Sequence, residues 1–334
     1  MKAVLMTEAG KPEVLQVQDV SDLKIENDTE ILVRLHAAGV NPIDTKLRQR
    51  GTFYPNDMPA ILGCDGAGVV EGVGSGVQRF KVGDEVYFCA GGLGKSRTGN
   101  YAQLTVVEEQ FVARKPTSLS FAEAAAAPLV LITAWEALYD RGRLEAGQRV
   151  LIHGGAGGVG HVAIQLAKLK GAEVCTTVSS SEKARFVRQL GADHPIFYKD
   201  TDFATAALDW TQGEGVDLAF DTVGGATFYD TFPAIRVYGD MVTILEPDPA
   251  DINWKIARLR NIRTSLELML TPMLEGLTDA QRHQAEILEQ CADWIERGKL
   301  QIHLSQTFAL EDAALAHQAL ASGSTTGKIV LTID

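Results

Sequence analysis

Val150-Leu151-Ile152-His153-Gly154-Gly155-Ala156-Gly157-Gly158-Val159-Gly160 is an apolar run that breaks into glycines, and Val162-Ala163-Ile164-Gln165-Leu166-Ala167-Lys168 follows it. Gly155, Gly157 and Gly160 fit the spacing G-x-G-x-x-G. The motif alone is weak, but its position between a predicted strand and a predicted helix makes it specific for a dinucleotide. The first glycine permits a tight turn, the second lets the main chain approach a pyrophosphate, and the third lets helix and strand pack closely. Ala156, Gly158 and Val159 complete the loop, and the helix begins beneath the phosphates. There its free N–H groups and the positive end of its dipole bind anions without a lysine. A ligand-free glycine turn is the alternative, and the flanking context counts against it. Gly63-Cys64-Asp65-Gly66-Ala67-Gly68 and Gly72-Val73-Gly74-Ser75-Gly76 are also glycine-rich. No helical periodicity follows either, so both are read as turns between short strands.

On the carboxyl side, strands are predicted at 149–153, 173–178, 194–198, 216–220, 241–245 and 262–268, with helices between them. Six such strands make a doubly wound parallel sheet. On the amino side, residues 1 to about 120 carry short alternating apolar segments separated by Gly, Pro and Asp, the texture of a β-rich domain. The expected division is residues 1–122, completed by about 300–334, and residues 123–299 for dinucleotide binding. With 334 residues, of which 46% are hydrophobic, the chain can fill two cores.

A net charge of −12 argues against nucleic acid, whose phosphates demand a basic face. No apolar run is long enough for a signal peptide or a membrane span, so a cytoplasmic location without a membrane partner is expected. The scattered Cys64, Cys89, Cys175 and Cys291 suggest neither a disulfide framework nor a zinc knuckle.

Where an acidic residue would bind the ribose of NAD, the second strand ends in Val178-Ser179-Ser180-Ser181-Glu182-Lys183. Glu182 stands three after Ser179, the spacing of a helix capping box. Serine hydroxyls and the Lys183 ammonium suit a 2′-phosphate, so NADP(H) is favoured, although Lys183 taken by itself reads better as an ordinary solvated helix lysine. His153 and His161 flank the loop but are read as packing residues.

Ala38-Gly39-Val40-Asn41-Pro42-Ile43-Asp44, Leu62-Gly63-Cys64-Asp65-Gly66-Ala67-Gly68, Val82-Gly83-Asp84-Glu85-Val86, the glycine loop and Asp221-Thr222-Val223-Gly224-Gly225 carry a resemblance over essentially the whole chain. The sequence is similar to the medium-chain dehydrogenase/reductase superfamily, specifically its zinc-independent quinone oxidoreductase (zeta-crystallin-like) branch. That resemblance implies an α/β fold made of a GroES-like β-rich catalytic domain and a Rossmann domain. It also implies a homodimer paired through the sixth strand.

The zinc alcohol dehydrogenases of the superfamily have a cysteine where this chain has Asn41 and a histidine where it has Cys64, so no metal is expected. Related reductases place a lysine at Lys183 and a tyrosine at Tyr198 on the adenosine phosphate. The arginine they use near the C terminus has no counterpart at Gly323 or Ser324. Val223 and Gly224 are expected against the cofactor ribose, and Leu266 and Leu268 are expected to offer main-chain groups to the carboxamide.

Asn41, Tyr54 and Thr133 are the residues the resemblance places at the reacting centre. Asn41 fits two roles equally, an amide donor to an acceptor carbonyl or a brace for the loop before Pro42. Tyr54 is expected at the acceptor and Thr133 at the nicotinamide. The implied activity is NADPH-dependent reduction of a quinone or an α,β-unsaturated carbonyl compound. An enoyl-thioester or haloacrylate-type alkene reductase is the alternative on the same frame, and a crystallin-like NADPH-binding structural protein is the alternative of another class.

Overall fold

The computed structural model describes residues 1–247 and 253–334 and divides into two units, Met1–Leu129 with Leu270–Asp334, and Val130–Met269. Residues 270–299, expected with the dinucleotide domain, therefore lie in the first unit. The cause is the helix Thr278–Glu296, which buries Ile287, Leu288, Cys291 and Ile295. It is tied to the β-rich core by Tyr87, whose hydroxyl donates to the Leu288 carbonyl at 2.5 Å.

The second unit is built on a six-stranded all-parallel sheet. Its spatial order is His194–Phe197, Glu173–Val178, Arg149–Ile152, Val216–Asp221, Ile235–Thr243 and Arg263–Leu266. In chain order that is 3-2-1-4-5-6, so the direction of winding reverses between the first and fourth strands, where an open α/β sheet leaves its ligand crevice. Fully buried Val150, Leu151, Ile152, Leu218, Ala219 and Phe220 make the two central strands continuously apolar, as a sheet covered on both faces requires.

In the first unit a seven-stranded sheet centres on the long strand Glu30–Val40, flanked by Asp65–Val73 and by the C-terminal strand Lys328–Thr332. Gly66, Gly68 and Gly72, read from sequence as turn residues, lie inside the strand Asp65–Val73. Gly68 is needed there for close approach, because a Cβ would stand 2.0 Å from the Arg34 carbonyl oxygen of the neighbouring strand. Among the described residues no helix is long and apolar enough to cross a membrane.

Candidate active site

The first parallel strand stops at Ile152, and the chain turns through Gly154 at φ +64° before the helix Gly158–Leu169 begins. Gly155 and Gly160 are packing glycines. A Cβ on Gly155 would stand 2.1 Å from Thr176 Oγ1, and one on Gly160 would stand 2.3 Å from the Gly154 carbonyl oxygen. The loop is held by its neighbouring strand, where Thr177 Oγ1 accepts from the Gly154 N–H at 2.9 Å and the Thr177 carbonyl accepts from Gly155.

Thr133 apart, every proposed dinucleotide contact lies at or just beyond the carboxyl end of a strand of this sheet. The loop 155–160 follows the first strand, Ser179, Ser180 and Lys183 the second, and Tyr198 the third. Val223 and Gly224 follow the fourth strand, while Leu266 ends the sixth and Leu268 lies beyond it. One edge of one sheet thus gathers residues that the sequence scatters over more than a hundred positions. Tyr198, Val223, Leu266 and Leu268 are all about half exposed or more.

The capping arrangement differs from the sequence reading. Ser180, not Ser179, caps the helix Ser181–Gln189, its hydroxyl accepting the Lys183 N–H at 3.2 Å, and Glu182 is exposed. The second strand runs to Val178, which places the cap one residue later than the Ser179–Glu182 spacing suggested.

Asp221, fully buried at the end of the fourth strand, shapes the turn that carries Val223 and Gly224. Its Oδ1 accepts both of their N–H groups at 2.8 and 2.9 Å, and its Oδ2 accepts the Thr243 hydroxyl at 3.0 Å. Asp221→Ala orphans these donors and is expected to cost about 3 kcal/mol of stability in denaturant titrations. Asp221→Asn keeps one oxygen for the two N–H groups and is expected to cost less. Nearby His153 is buried between Thr231 Oγ1 at 2.9 Å and Thr177 Oγ1 at 3.4 Å, and burial holds its imidazole down at about 4, opposed by the Asp221 charge. A neutral, enclosed imidazole is a packing group, as is fully buried His161 with its Nδ1 against the Gly157 carbonyl.

In the first unit Asn41 caps the helix Pro42–Arg50 and is completely enclosed. Its Nδ2 donates to Asp65 Oδ2 at 2.8 Å, its Oδ1 accepts from the Lys328 ammonium, and its N–H donates to Asp44 Oδ2 at 2.8 Å. Of the two roles open to Asn41, this geometry supports the brace.

A directed chain leads away from Asp44. Arg48 Nε, which can only donate, meets His317 Nδ1 at 3.2 Å, so the proton of the neutral ring sits on Nε2, 3.2 Å from the Tyr101 hydroxyl. That hydroxyl donates to Asp44 at 3.0 Å. Burial raises the Asp44 carboxyl to about 7 against the pull of the Asn41 and Tyr101 hydrogen bonds, and its Oδ1 has no partner. Burial likewise lowers His317 to about 3, reinforced by the Arg48 charge. Lys328, Asp65, Tyr101, His317 and Arg48 escaped the sequence reading as a group.

Two family models match the chain: an alcohol dehydrogenase GroES-like domain over residues 27–117 and a zinc-binding dehydrogenase over residues 190–331. A quinone oxidoreductase of Pseudomonas aeruginosa is 35% identical over 99% of both chains. The chain belongs to the medium-chain dehydrogenase/reductase superfamily, in its quinone oxidoreductase branch. A 2-methylene-furan-3-one reductase of Solanum lycopersicum is 34% identical over 99% of this chain and 79% of its own length. Among solved structures, an Escherichia coli quinone oxidoreductase complexed with NADPH superposes with a TM-score of 0.87 at 28% identity, covering 99% of this chain and 100% of that one.

The superfamily includes zinc enzymes, and catalytic zinc needs three protein ligands of the Cys, His or carboxylate kind. Among the described residues no three such groups cluster to hold an ion. At the family's ligand positions, Asn41 turns its oxygen to an ammonium, which would repel a second cation. Fully buried Cys64 stands at the other position, where the Cys89 hydrogen bond lowers its thiol but burial and the Asp44 and Asp65 carboxylates outweigh it. These residues do not fit zinc.

Two reductase-branch positions remain to be placed. Tyr54 is half-buried and precedes the short helical turn Pro55–Asp57. Thr133 is 4% exposed within the helix Pro128–Trp135.

Proposed function

We propose that this protein is an NADPH-dependent, zinc-independent reductase that delivers hydride to a quinone or an α,β-unsaturated carbonyl compound. The observation that carries the reading is the alignment of the loop 155–160, Ser179, Ser180, Lys183, Tyr198, Val223 and Gly224 along the carboxyl edge of one parallel sheet, at its winding switch. When bound, NADPH supplies the hydride, and the chain itself needs neither a reactive thiol nor a metal. All four cysteines are buried and free, consistent with a reducing cytoplasmic setting.

Loop 155–160 and the start of the helix Gly158–Leu169 hold the pyrophosphate through main-chain N–H groups. Ser179, Ser180, Lys183 and Tyr198 surround the adenosine 2′-phosphate, and Val223 and Gly224 pack on the ribose. Main-chain groups of Leu266 and Leu268 meet the carboxamide, and Thr133 contacts the nicotinamide. Tyr54 faces the acceptor and helps exclude water, while Asn41 braces the loop that leads into Pro42. The edge strand Arg263–Leu266 takes the same strand of a second copy, giving a homodimer; Tyr238, Leu259 and Leu266 are apolar groups at least 66% exposed that such pairing would cover.

NADPH oxidation with a quinone, a short enone and an acyl thioester tests the reading. Turnover with the first two is expected, and the Solanum lycopersicum relative supports including the enone. Activity on the thioester alone overturns it. Binding of NADPH without turnover of any acceptor favours a structural role. Lys183→Glu places a carboxylate against the 2′-phosphate, so the KM for NADPH is expected to rise at least about tenfold with that for NADH little changed. Equal effects on both cofactors would remove Lys183 from the phosphate site.

A further inference from the structure

We propose that Lys328 is a positioning residue for the nicotinamide end of the site, acting through Asp65 on the helix that carries Thr133; the inference rests on the reductase reading above. Lys328 opens the C-terminal strand Lys328–Thr332, whose next three residues, Ile329, Val330 and Leu331, are fully buried. A lysine 3% exposed at the head of such a strand is expensive unless its charge is answered. Its ammonium donates to Asn41 Oδ1 and, at 3.3 Å, to the Val40 carbonyl, and it stands 3.9 Å from Asp65 Oδ2.

Two of these contacts fix a third. A carboxylate only accepts and an ammonium only donates, so the Asn41 amide has one possible orientation, oxygen to Lys328 and nitrogen to Asp65. Asp65 is thereby held with its second oxygen, Oδ1, on the Leu129 N–H at 2.8 Å. Pro128 opens the helix Pro128–Trp135 and has no N–H, which makes the Leu129 N–H the first main-chain donor of that helix. A carboxylate there also favours the positive end of the helix dipole.

Thr133 lies four residues beyond Leu129, one turn along the same face, so any movement of the helix start is passed directly to it. Lys328 is the cation that keeps Asp65 in its acceptor form. Burial pushes the Asp65 carboxyl up, and the Lys328 charge is the first influence opposing that push. Without the ammonium, Asp65 would be a buried unpaired charge; a proton taken to relieve it would compete with the bonds to Asn41 and Leu129.

The test is Lys328→Met, which keeps chain length and removes the charge. Hydrogen exchange read by mass spectrometry is expected to accelerate at least tenfold in peptides covering 128–135 while the helix Gly158–Leu169 is unchanged. The kcat for NADPH oxidation is expected to fall at least tenfold with the NADPH Kd within about twofold. Unchanged exchange at 128–135 overturns the proposal. Should Lys328→Met fail to fold, the Lys328→Met/Asp65→Asn pair removes both charges yet keeps a side-chain carbonyl for Leu129. Protection near that of the unmodified protein is then expected, and a loose 128–135 segment overturns it.

In the unmodified protein the Lys328 ammonium should give a solvent-protected 15N resonance, and free exchange with water sinks the idea without any variant. Failure of the unmodified protein to oxidise NADPH with any acceptor would end the reductase reading while leaving the exchange results to decide the role of Lys328.

Discussion

Gly160→Ala is expected to raise the NADPH Kd at least tenfold and to cost about 2–4 kcal/mol of stability. A Cβ built on Gly160 lies 2.3 Å from the Gly154 carbonyl oxygen and 2.8 Å from the Gly155 Cα, both backbone atoms that no rotamer change can move aside. The helix Gly158–Leu169 must then retreat from the loop, or the loop must leave Thr177, whose hydroxyl and carbonyl accept from Gly154 and Gly155. Either movement separates the main-chain donors that the proposed site directs at one pyrophosphate. Gly157→Ala is the control. Its Cβ meets one atom, the Gly154 carbonyl oxygen at 3.2 Å, so its stability loss is expected to be smaller while ligand approach is still obstructed. Thermal unfolding with and without NADPH, alongside fluorescence titration, reads both effects. Equal stability for Gly160→Ala and the unmodified protein would show that the loop does not pack on the helix in this way.

The motif was legible because strand, glycines and helix are neighbours in sequence, and their periodicity changes from one step to the next. The same locality found the six parallel strands, although the fifth extends back to Ile235 from its expected start at Met241. What sequence could not reveal was choice of partner. The helix Thr278–Glu296 has the texture of an α/β crossover, yet it belongs to the β-rich unit through contacts such as Tyr87 with Leu288, 201 residues apart.

The cap on the helix Ser181–Gln189 turned on a single residue of strand length, with three consecutive serines offering equivalent hydroxyls. The Asn41 cluster had one faint signal, a lysine leading an apolar strand at Lys328. Its meaning depended on a partner 287 positions away. Asn41 itself was found through family resemblance, and only its enclosure by Asp65 and Lys328 distinguishes a brace from a substrate contact.

Acid is expected to weaken the unit Val130–Met269 before the other. His153 belongs to that unit, and burial lowers its imidazole from 6.5 to about 4. Between those values the unfolded chain binds a proton that the native unit refuses, so this contribution is complete above about pH 6.5 and is lost as pH falls towards 4. The loss is on the order of 3 kcal/mol at about 1.36 kcal/mol per pH unit.

In the first unit two groups oppose each other. His317, lowered by burial to about 3, gives the same acid-labile sign, whereas Asp44, raised by burial from 3.8 to about 7, keeps a proton that the unfolded chain has released. The Asp44 contribution is lost as pH rises from about 4 to 7 while that of His317 grows up to about 6.5, so their slopes cancel from about pH 4 to 6.5. Trp135, Trp210 and Trp254 lie in the dinucleotide unit and Trp294 in the other, so tryptophan fluorescence reports mainly the acid-sensitive part. Urea midpoints followed by that signal should fall between pH 6.5 and 4.5, and His153→Gln, which keeps a polar group for Thr231, should flatten the dependence. A slope that survives His153→Gln would mean that the acid sensitivity comes from another group.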